Sequence, residues 1–518
     1  MARGGSMVGM SDTPDLAVVT RRRPGALGLP TQATPQLRPT NELVLAVSRP
    51  RDGQHSDFPW ENLCFEGGGA KGYAYVGSLA YLEEIGAYPH FIRRTAGTSI
   101  GSLFAVLAAI GCPTSYIRSK VPSDFQSLAR DGGGGRLGSF ARAARVRGLH
   151  PGRRLYTFLG TILDEVAGSA DITFEQLEQR FGRELCIPIT NVTRMMTEYC
   201  HVKTTPKMPV RVAARISMSL PVLLEPVMLD NSSKNAGDAA LPEVYVDGGL
   251  LCNNPTHVFD GWWLSRSPAD SFFRRLQPLS SASTHYPRSA RFNPHNGKSL
   301  GFTLFAQSEA DISRSWVDAG IELPNRPDTP VSRECQNDER IREAKAKWFE
   351  PIQRLVATLS RVDHDSDGTI SLGELGEAIR LSGITDEEMV SVFGSTSVES
   401  AFSALNRNDD DRIDFAEVIH FLEGLGIDVT TQLVGFPARH PKSTLDFALN
   451  MLEAVSRDLT RSNHNAADRL RTVPINTDYV GTTTFDLQPA DLEFLVATGY
   501  RHTQGFVEAH RRTKGASE

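Results

Sequence analysis

Three consecutive glycines at a strand-to-helix boundary constrain this chain more than any other feature. In "LCFEGGGAKGYAYVGSLAYLEEIG", residues 63–86, the apolar run Leu63, Cys64, Phe65 gives way to Gly67, Gly68 and Gly69. Val76, Leu79, Leu82 and Ile85 then recur at helical spacing, and Gly86 closes the segment. A short apolar strand that turns on glycines into a helix is the repeating unit of a sheet covered by helices. The same alternation runs from about residue 60 to 320, so the expected fold class is α/β. Gly67, Gly69 and Gly72 also spell G-x-G-x-x-G, the dinucleotide pattern, which raises the question of what negative charge this loop receives.

The residues that follow argue against a dinucleotide. Such a fold needs an acidic residue about 20 positions past its last glycine. The window here is "FIRRTAGTSIG", which supplies two arginines and then Gly97, Ser99 and Gly101 as G-x-S-x-G before an apolar helix. Glycines at those positions let the chain turn so sharply that the serine hydroxyl stands at a helix N-terminus, where negative charge is favoured. A phosphate-binding P-loop is excluded, because Lys71 precedes Gly72 and no G-K-[ST] follows. Farther on, "EVYVDGGLLCNNP" at 243–255 alternates Val244 and Val246 as a strand and delivers Asp247 into a glycine turn. A carboxylate held there suits a general base, although Asp-Gly alone equally marks an ordinary turn.

In this order, G-G-G-x-K-G, G-T-S-x-G and D-G-G resemble the motifs of the patatin-like phospholipases. "VRVAARISMSLPVLLEPV" and "VGTTTFDLQPAD" are similar to later segments of that family, so the likeness covers roughly 58–320 and 440–500. The resemblance implies a three-layer α/β/α fold with a mostly parallel central sheet. It implies a lipid acyl hydrolase of phospholipase A or lysophospholipase type that works through a Ser–Asp dyad and requires no cofactor for that chemistry. Ser99 would attack the ester carbonyl, Asp247 would take its proton, and N–H groups around Gly67, Gly68 and Gly69 would form the oxyanion hole. Lys71 stands where the family carries a basic residue and is expected to support the loop or a phosphate group; an exposed lysine at a helix start is the plainer alternative. His257 follows Asp247 and reads as a helix-start residue, not as the base. Two other readings stay open: a calcium-responsive membrane- or partner-binding protein on an inactive lipase scaffold, and a lipid acyltransferase using the same dyad.

The second half carries two acid-rich loops. In "DHDSDGTISLGE", 363–374, Asp363, Asp365 and Asp367 supply carboxylates and Thr369 a backbone carbonyl. Ser371 takes the position often served through water, Glu374 can bind with both oxygens, and Gly368 makes the turn. The partner "NRNDDDRIDFAE", 406–417, sets Asn406, Asn408, Asp410, Asp414 and Glu417 on ligand positions and Arg412 at the carbonyl position. It departs at position six, where Asp411 replaces glycine. The loops resemble a pair of EF-hands inserted in the lipase-like sequence, which implies bound Ca2+ in a regulatory or structural role.

The expected organisation is a disordered arm at 1–57, a main catalytic part at 58–325, the EF-hand pair at 345–425 and a C-terminal catalytic part at 440–510. A net charge of -6 demands no nucleic acid partner. Six scattered cysteines without a C-x-x-C pair suit a reducing compartment. The longest apolar run, "SLFAVLAAIG", is about half the ~20 residues of a membrane span, and the first 25 residues lack a signal peptide's apolar stretch. A cytoplasmic protein meeting its lipid substrate peripherally at a membrane surface is therefore expected. Trp262, Trp263, Phe272 and Phe273 beside Arg266, Arg274 and Arg275 read either as a core-facing helix or as a seat at an anionic lipid surface.

Overall fold

The computed structural model describes residues 58–121, 147–229, 242–309, 321–346, 350–362, 368–408, 410–424, 443–463, 466–484 and 486–515, together with 29, 32–38, 50, 51, 53, 55, 128, 131 and 441. The first apolar run forms β1 (Asn62–Phe65), followed by a 3-10 turn at Gly69–Tyr73 and α1 (Ala74–Glu84). β2 (Arg94–Gly97) leads through Ser99 into α2 (Ile100–Ala109), a helix apolar enough on all sides that every residue is buried. Next come β3 (Glu184–Asn191), β4 (Met196–His201), α3 (Val210–Ser217), β5 (Val227–Leu229), β6 (Glu243–Asp247) and β7 (Ser299–Ala306).

The second half opens with α4 (Pro330–Ala346), then α5 (Glu350–Val362), β8 (Thr369–Ser371), α6 (Leu372–Ser382), α7 (Asp386–Phe393) and α8 (Val398–Leu405). β9 (Arg412–Asp414), α9 (Phe415–Gly424), α10 (Thr444–Asn463), β10 (Thr472–Asp478) and α11 (Pro489–Gly515) complete the chain.

The main sheet has eight strands in the order β10-β7-β1-β2-β3-β6-β5, with β4 also paired to β3. From β10 to β3 the neighbours are parallel, and the pairings of β3 with β4, β3 with β6 and β6 with β5 are antiparallel. The first residues of β3 pair with β2 and its last residues with β6, where Ile189 lies opposite Asp247. β3 therefore carries β6 alongside the strand that ends at the serine. Phe65 and Phe302 stack at 5.2 Å between ring centroids under α1 and α2, beside the buried Tyr75 and Phe104.

β10 joins the sheet at the edge of β7, so residues far beyond the acidic loops complete the fold begun at β1. α11 packs on α1, with the Ser78 hydroxyl donating to the Gly499 carbonyl at 3.2 Å and Tyr81 edge-on to Tyr500. Between these parts, α5–β8–α6 and α8–β9–α9 form two helix–loop–helix units. Their short strands pair antiparallel, Ile370 opposite Ile413, and Leu355, Val362, Leu375, Met389, Leu405 and Val418 enclose a core separate from that of the sheet.

Two expectations change. Within the region read as a disordered arm, residues 32–38 lie along the sheet domain: Ala33 N–H donates to the Lys207 carbonyl, Arg38 N–H to that of Gly168, and Leu37 packs on the core. The tryptophan segment is not a continuous helix. Trp262 is buried in a series of bends, with Trp263 and Phe272 packed on it, and of the four aromatics only Phe273 is strongly exposed.

Candidate active site

Ser99 links β2 to α2 with φ 51° and ψ -129°, a left-handed-φ conformation that side chains rarely adopt. The turn is possible because a Cβ on Gly97 would meet the Gly101 carbonyl oxygen at 2.0 Å, and one on Gly101 would meet that of Phe65 at 2.4 Å. The Ser99 N–H donates to Ser217 Oγ at 3.0 Å, which in turn donates to the Pro188 carbonyl at 2.7 Å. This fixes the strained turn against β3. The Ser99 hydroxyl donates to Asp247 Oδ2 at 2.7 Å. Asp247 ends β6, is buried, and accepts the Gly249 N–H on Oδ1 at 2.7 Å. Burial pushes its carboxyl up from 3.8 to about 7, against the opposing pull of the Gly249 N–H, the Ser99 hydroxyl and Arg215. A base of that affinity, hydrogen-bonded to a hydroxyl, is placed to take its proton near neutral pH.

The three loop glycines are not equivalent. The Gly67 N–H donates to the Asn253 carbonyl at 3.1 Å, which removes it from the expected oxyanion donors. Gly68 and Gly69 open the 3-10 turn, where N–H groups lack partners within the turn, and both line the cavity that holds Ser99. Gly69 has φ +57°, and a Cβ there would lie 2.1 Å from the Thr482 carbonyl oxygen. Asn253 holds the loop from the other side, its amide donating to Glu66 Oε1 and to the Gly67 carbonyl at 3.1 Å each.

Lys71 is not exposed, although it lines the cavity that holds Ser99. It is buried, its ammonium bonded to the Glu309 carboxylate and 3.3 Å from the Leu304 carbonyl. Glu309 Oε1 also faces Arg457 at 3.4 Å. Glu309 and Arg457 carry no motif in the sequence, and Asn253 is visible there only as a neighbour of the D-G-G turn.

Ser99, Asp247 and the glycine loop open into a cavity of about 320 Å³. Leu220, Leu250 and Leu304 make it apolar on one side, and α10 forms another wall through Leu449, Leu452, Ser456 and Arg457. The Ser456 hydroxyl donates to the carbonyl of Gly249, the residue whose N–H holds Asp247. The cavity thus sets an apolar side against polar groups, Glu66, Asn253, Glu453 and Thr460 among them, around the serine. His257 stands outside this arrangement, in a turn instead of a helix start, buried, with Nε2 3.4 Å from the Tyr199 hydroxyl.

Of the expected calcium ligands, Asp363, Asp365 and Asp367 lie outside the described residues. Thr369 and Ser371 sit on β8, and Glu374 caps α6 by accepting the Ser371 N–H at 2.9 Å. Gly368 has φ +78°, the left-handed conformation needed at position six. In the second loop Glu417 accepts the N–H groups of Arg407, Asn408 and Asp414, Asp410 accepts that of Arg412, and Asn406 Oδ1 is buried without a hydrogen-bond partner. All these groups are oxygen donors, the set that suits a hard cation, and the residues present fit Ca2+. A separate cluster of Asp260, His295 and Asp468 is instead bridged by the Arg471 guanidinium, which bonds all three side chains.

Residues 63–260 match the patatin-like phospholipase family. The matched span contains Ser99, Asp247 and the glycine loop, whereas α10, Arg457, Glu309 and the helix–loop–helix units lie beyond it. The uncharacterized protein R571 of Acanthamoeba polyphaga mimivirus is 27% identical over 201 residues, 39% of this chain and 61% of that protein. The probable lipid hydrolase 463L of invertebrate iridescent virus 6 is 24% identical over 202 residues, 38% of this chain and 63% of that protein. The chain thus spans less than two thirds of the length of these curated relatives. Among solved structures, VipD from Legionella pneumophila aligns with a TM-score of 0.37 at 14% identity, covering 90% of this chain and 73% of VipD.

Proposed function

We propose that the chain hydrolyses carboxylic esters of membrane lipids, as a phospholipase A or lysophospholipase, through an acyl-Ser99 intermediate. The observation that carries this is the 2.7 Å hydrogen bond from the Ser99 hydroxyl to a buried Asp247 whose carboxyl is pushed up to about 7. Ser99 Oγ bonds the ester carbonyl carbon while its proton passes to Asp247. The carbonyl oxygen becomes an oxyanion received by the N–H groups of Gly68 and Gly69, interactions worth about 3 kcal/mol each in the transition state. Collapse breaks the ester C–O bond, and the leaving alkoxide takes the proton from Asp247. Water then attacks the acyl carbon, gives its proton to Asp247, and Ser99 regains it as the fatty acid leaves.

We further propose that the loops 363–374 and 406–417 are an EF-hand pair that binds Ca2+ and modulates this activity. Supporting this are the spacing of oxygen donors, the Ile370–Ile413 pairing, the left-handed Gly368 and the partnerless Asn406 Oδ1. Asp411 is not among the described residues of positive φ, which favours the first loop as the tighter site. Contact with a lipid surface is supported by α10, where Phe447, Met451 and Val455 recur every four residues on an exposed face beside the cavity.

Fatty-acid release from phospholipid vesicles tests the reading. Ser99→Ala and Asp247→Asn are each expected to abolish it with the fold retained, and a fluorophosphonate is expected to label Ser99. Wild-type turnover by either variant would overturn the dyad, and an unlabelled serine would favour the inactive scaffold.

A further inference from the structure

A second cavity, of about 270 Å³, adjoins the first, and Asn253 and Thr460 line both. Its walls include Tyr199, Asn254, His257, Arg288, Arg291 and Asp468, none of which takes part in the ester chemistry. Arg291 is the unusual member. Its guanidinium lies 5.0 Å from the Trp263 ring, 5.3 Å from Phe292, 5.6 Å from Tyr286 and 5.8 Å from Tyr199. No carboxylate among the described residues comes within ion-pair distance of it, and its Nε is buried without a hydrogen-bond partner. Aromatic faces stabilise a cation but satisfy none of its in-plane N–H groups.

Asn254 supplies a second unmet donor. Its Oδ1 accepts from the Thr256 N–H and hydroxyl at 3.1 and 2.5 Å, which fixes the amide with the NH2 on the opposite side. That Nδ2 is buried and has no partner. Arg288 also faces this cavity, 3.4 Å from Asp468. Asp468, the one carboxylate on the wall, is already bound by Arg471 at 2.6 Å, so two guanidinium groups share it and Arg291 is left in excess. His257 registers the resulting field: burial first, then Arg288, Arg471 and Arg291, hold its imidazole well below the usual range.

We infer that this second cavity is a binding site for a phosphate group, held by the Arg291 guanidinium and the Asn254 amide with Arg288 at its side. A planar guanidinium fork and an amide NH2 supply N–H donors from separate directions, which match the several oxygens of a phosphate. Because Asn253 and Thr460 border both cavities, the phosphate can belong to a lipid whose ester lies at Ser99 or to a soluble phosphate compound beside it. In its lipid form the inference rests on the proposed hydrolase activity; in either form, binding is measurable without turnover.

The inactive Ser99→Ala chain separates the two questions. Titration calorimetry with inorganic phosphate and with monomeric short-chain phosphatidylcholine is expected to give saturable binding to at least one probe. Arg291→Gln, with its thermal transition unchanged, is expected to weaken that binding tenfold or more, and Asn254→Leu severalfold. Where the phosphate is the lipid's own, Arg291→Gln in the active chain raises KM for the phospholipid while kcat is retained. Competition between inorganic phosphate and phospholipid hydrolysis assigns the site to the lipid headgroup, and simultaneous binding assigns it to a soluble ligand. Absence of binding by both probes, or affinities unchanged in both variants, would overturn the inference.

Discussion

Asp247 is the residue at which fold and chemistry oppose each other most directly. The base has to be ionised to accept the Ser99 proton, and burial disfavours that charge until the carboxyl titrates at about 7. Two consequences differ in sign. Activity depends on the ionised form, so kcat/KM for a soluble ester is expected to fall on the acid side with a midpoint near pH 7; a flat profile from pH 5 to 8 would remove Asp247 as base. Stability moves the other way. Between its unfolded value of 3.8 and its folded value of about 7, the native carboxyl holds a proton that the unfolded chain has released. Stability therefore falls as pH rises through that window, by on the order of 4 kcal/mol in total. Asp247→Asn carries no such charge, so it is expected to unfold at a higher temperature than the wild type at pH 8. That gap should narrow steadily toward pH 4 in parallel melts.

At the scale of single elements, the parts built from adjacent residues were legible in the sequence, and the parts built from distant ones were not. The turn from β2 into α2 follows from Gly97, Ser99 and Gly101, and the end of β6 from Val244 and Val246, because local backbone geometry decides both. The role of Lys71 was open because Glu309, its partner, lies 238 residues away on the far side of β7 in sequence. Removing one member of a buried ion pair leaves the other uncompensated, so Lys71→Met is expected to cost about 3 kcal/mol in urea unfolding. A loss below about 1 kcal/mol would mean that Arg457 alone satisfies Glu309. The role of α10 as a wall of the cavity was not readable, since nothing local sets the direction of its inner face. Its outer face carries Phe447, Met451 and Val455. Changing all three to serine is expected to reduce co-sedimentation with phospholipid vesicles and vesicle hydrolysis severalfold, and to leave turnover of a monomeric ester intact. Equal losses on both substrates would mean that the stripe supports the cavity wall instead of meeting lipid.

At the scale of the whole molecule, the described residues form three hydrophobic clusters, two of them on the sheet and one in the helix–loop–helix units, and the sequence interleaves them. The sheet core draws on residues from Phe58 to Val507, while the core of the helix–loop–helix units is confined to Ile352–Leu422. Composition could not reveal this, because the apolar residues of both parts are alike; the change in period from strand-and-helix alternation to helices around acidic loops did. Separate cores need not melt together, so calorimetry is expected to resolve two transitions. A ligand that binds only the folded state of one unit raises that unit's transition alone, by RT ln(1 + [L]/Kd), about 2.7 kcal/mol at a hundredfold excess over Kd. Calcium is therefore expected to raise the transition of the 352–422 core and leave that of the sheet core within error, and a chelator should reverse the shift. Glu374→Gln is the companion variant, since Glu374 offers both carboxylate oxygens at the twelfth loop position. The variant should lose most of the calcium shift while keeping the sheet transition and the hydrolysis of a soluble ester. Because α10 is the next described helix after the second helix–loop–helix unit and forms a wall of the Ser99 cavity, calcium is expected to change vesicle hydrolysis more than soluble-ester hydrolysis. Identical vesicle turnover with calcium and with chelator, alongside a preserved thermal shift, would limit the ion to a structural role.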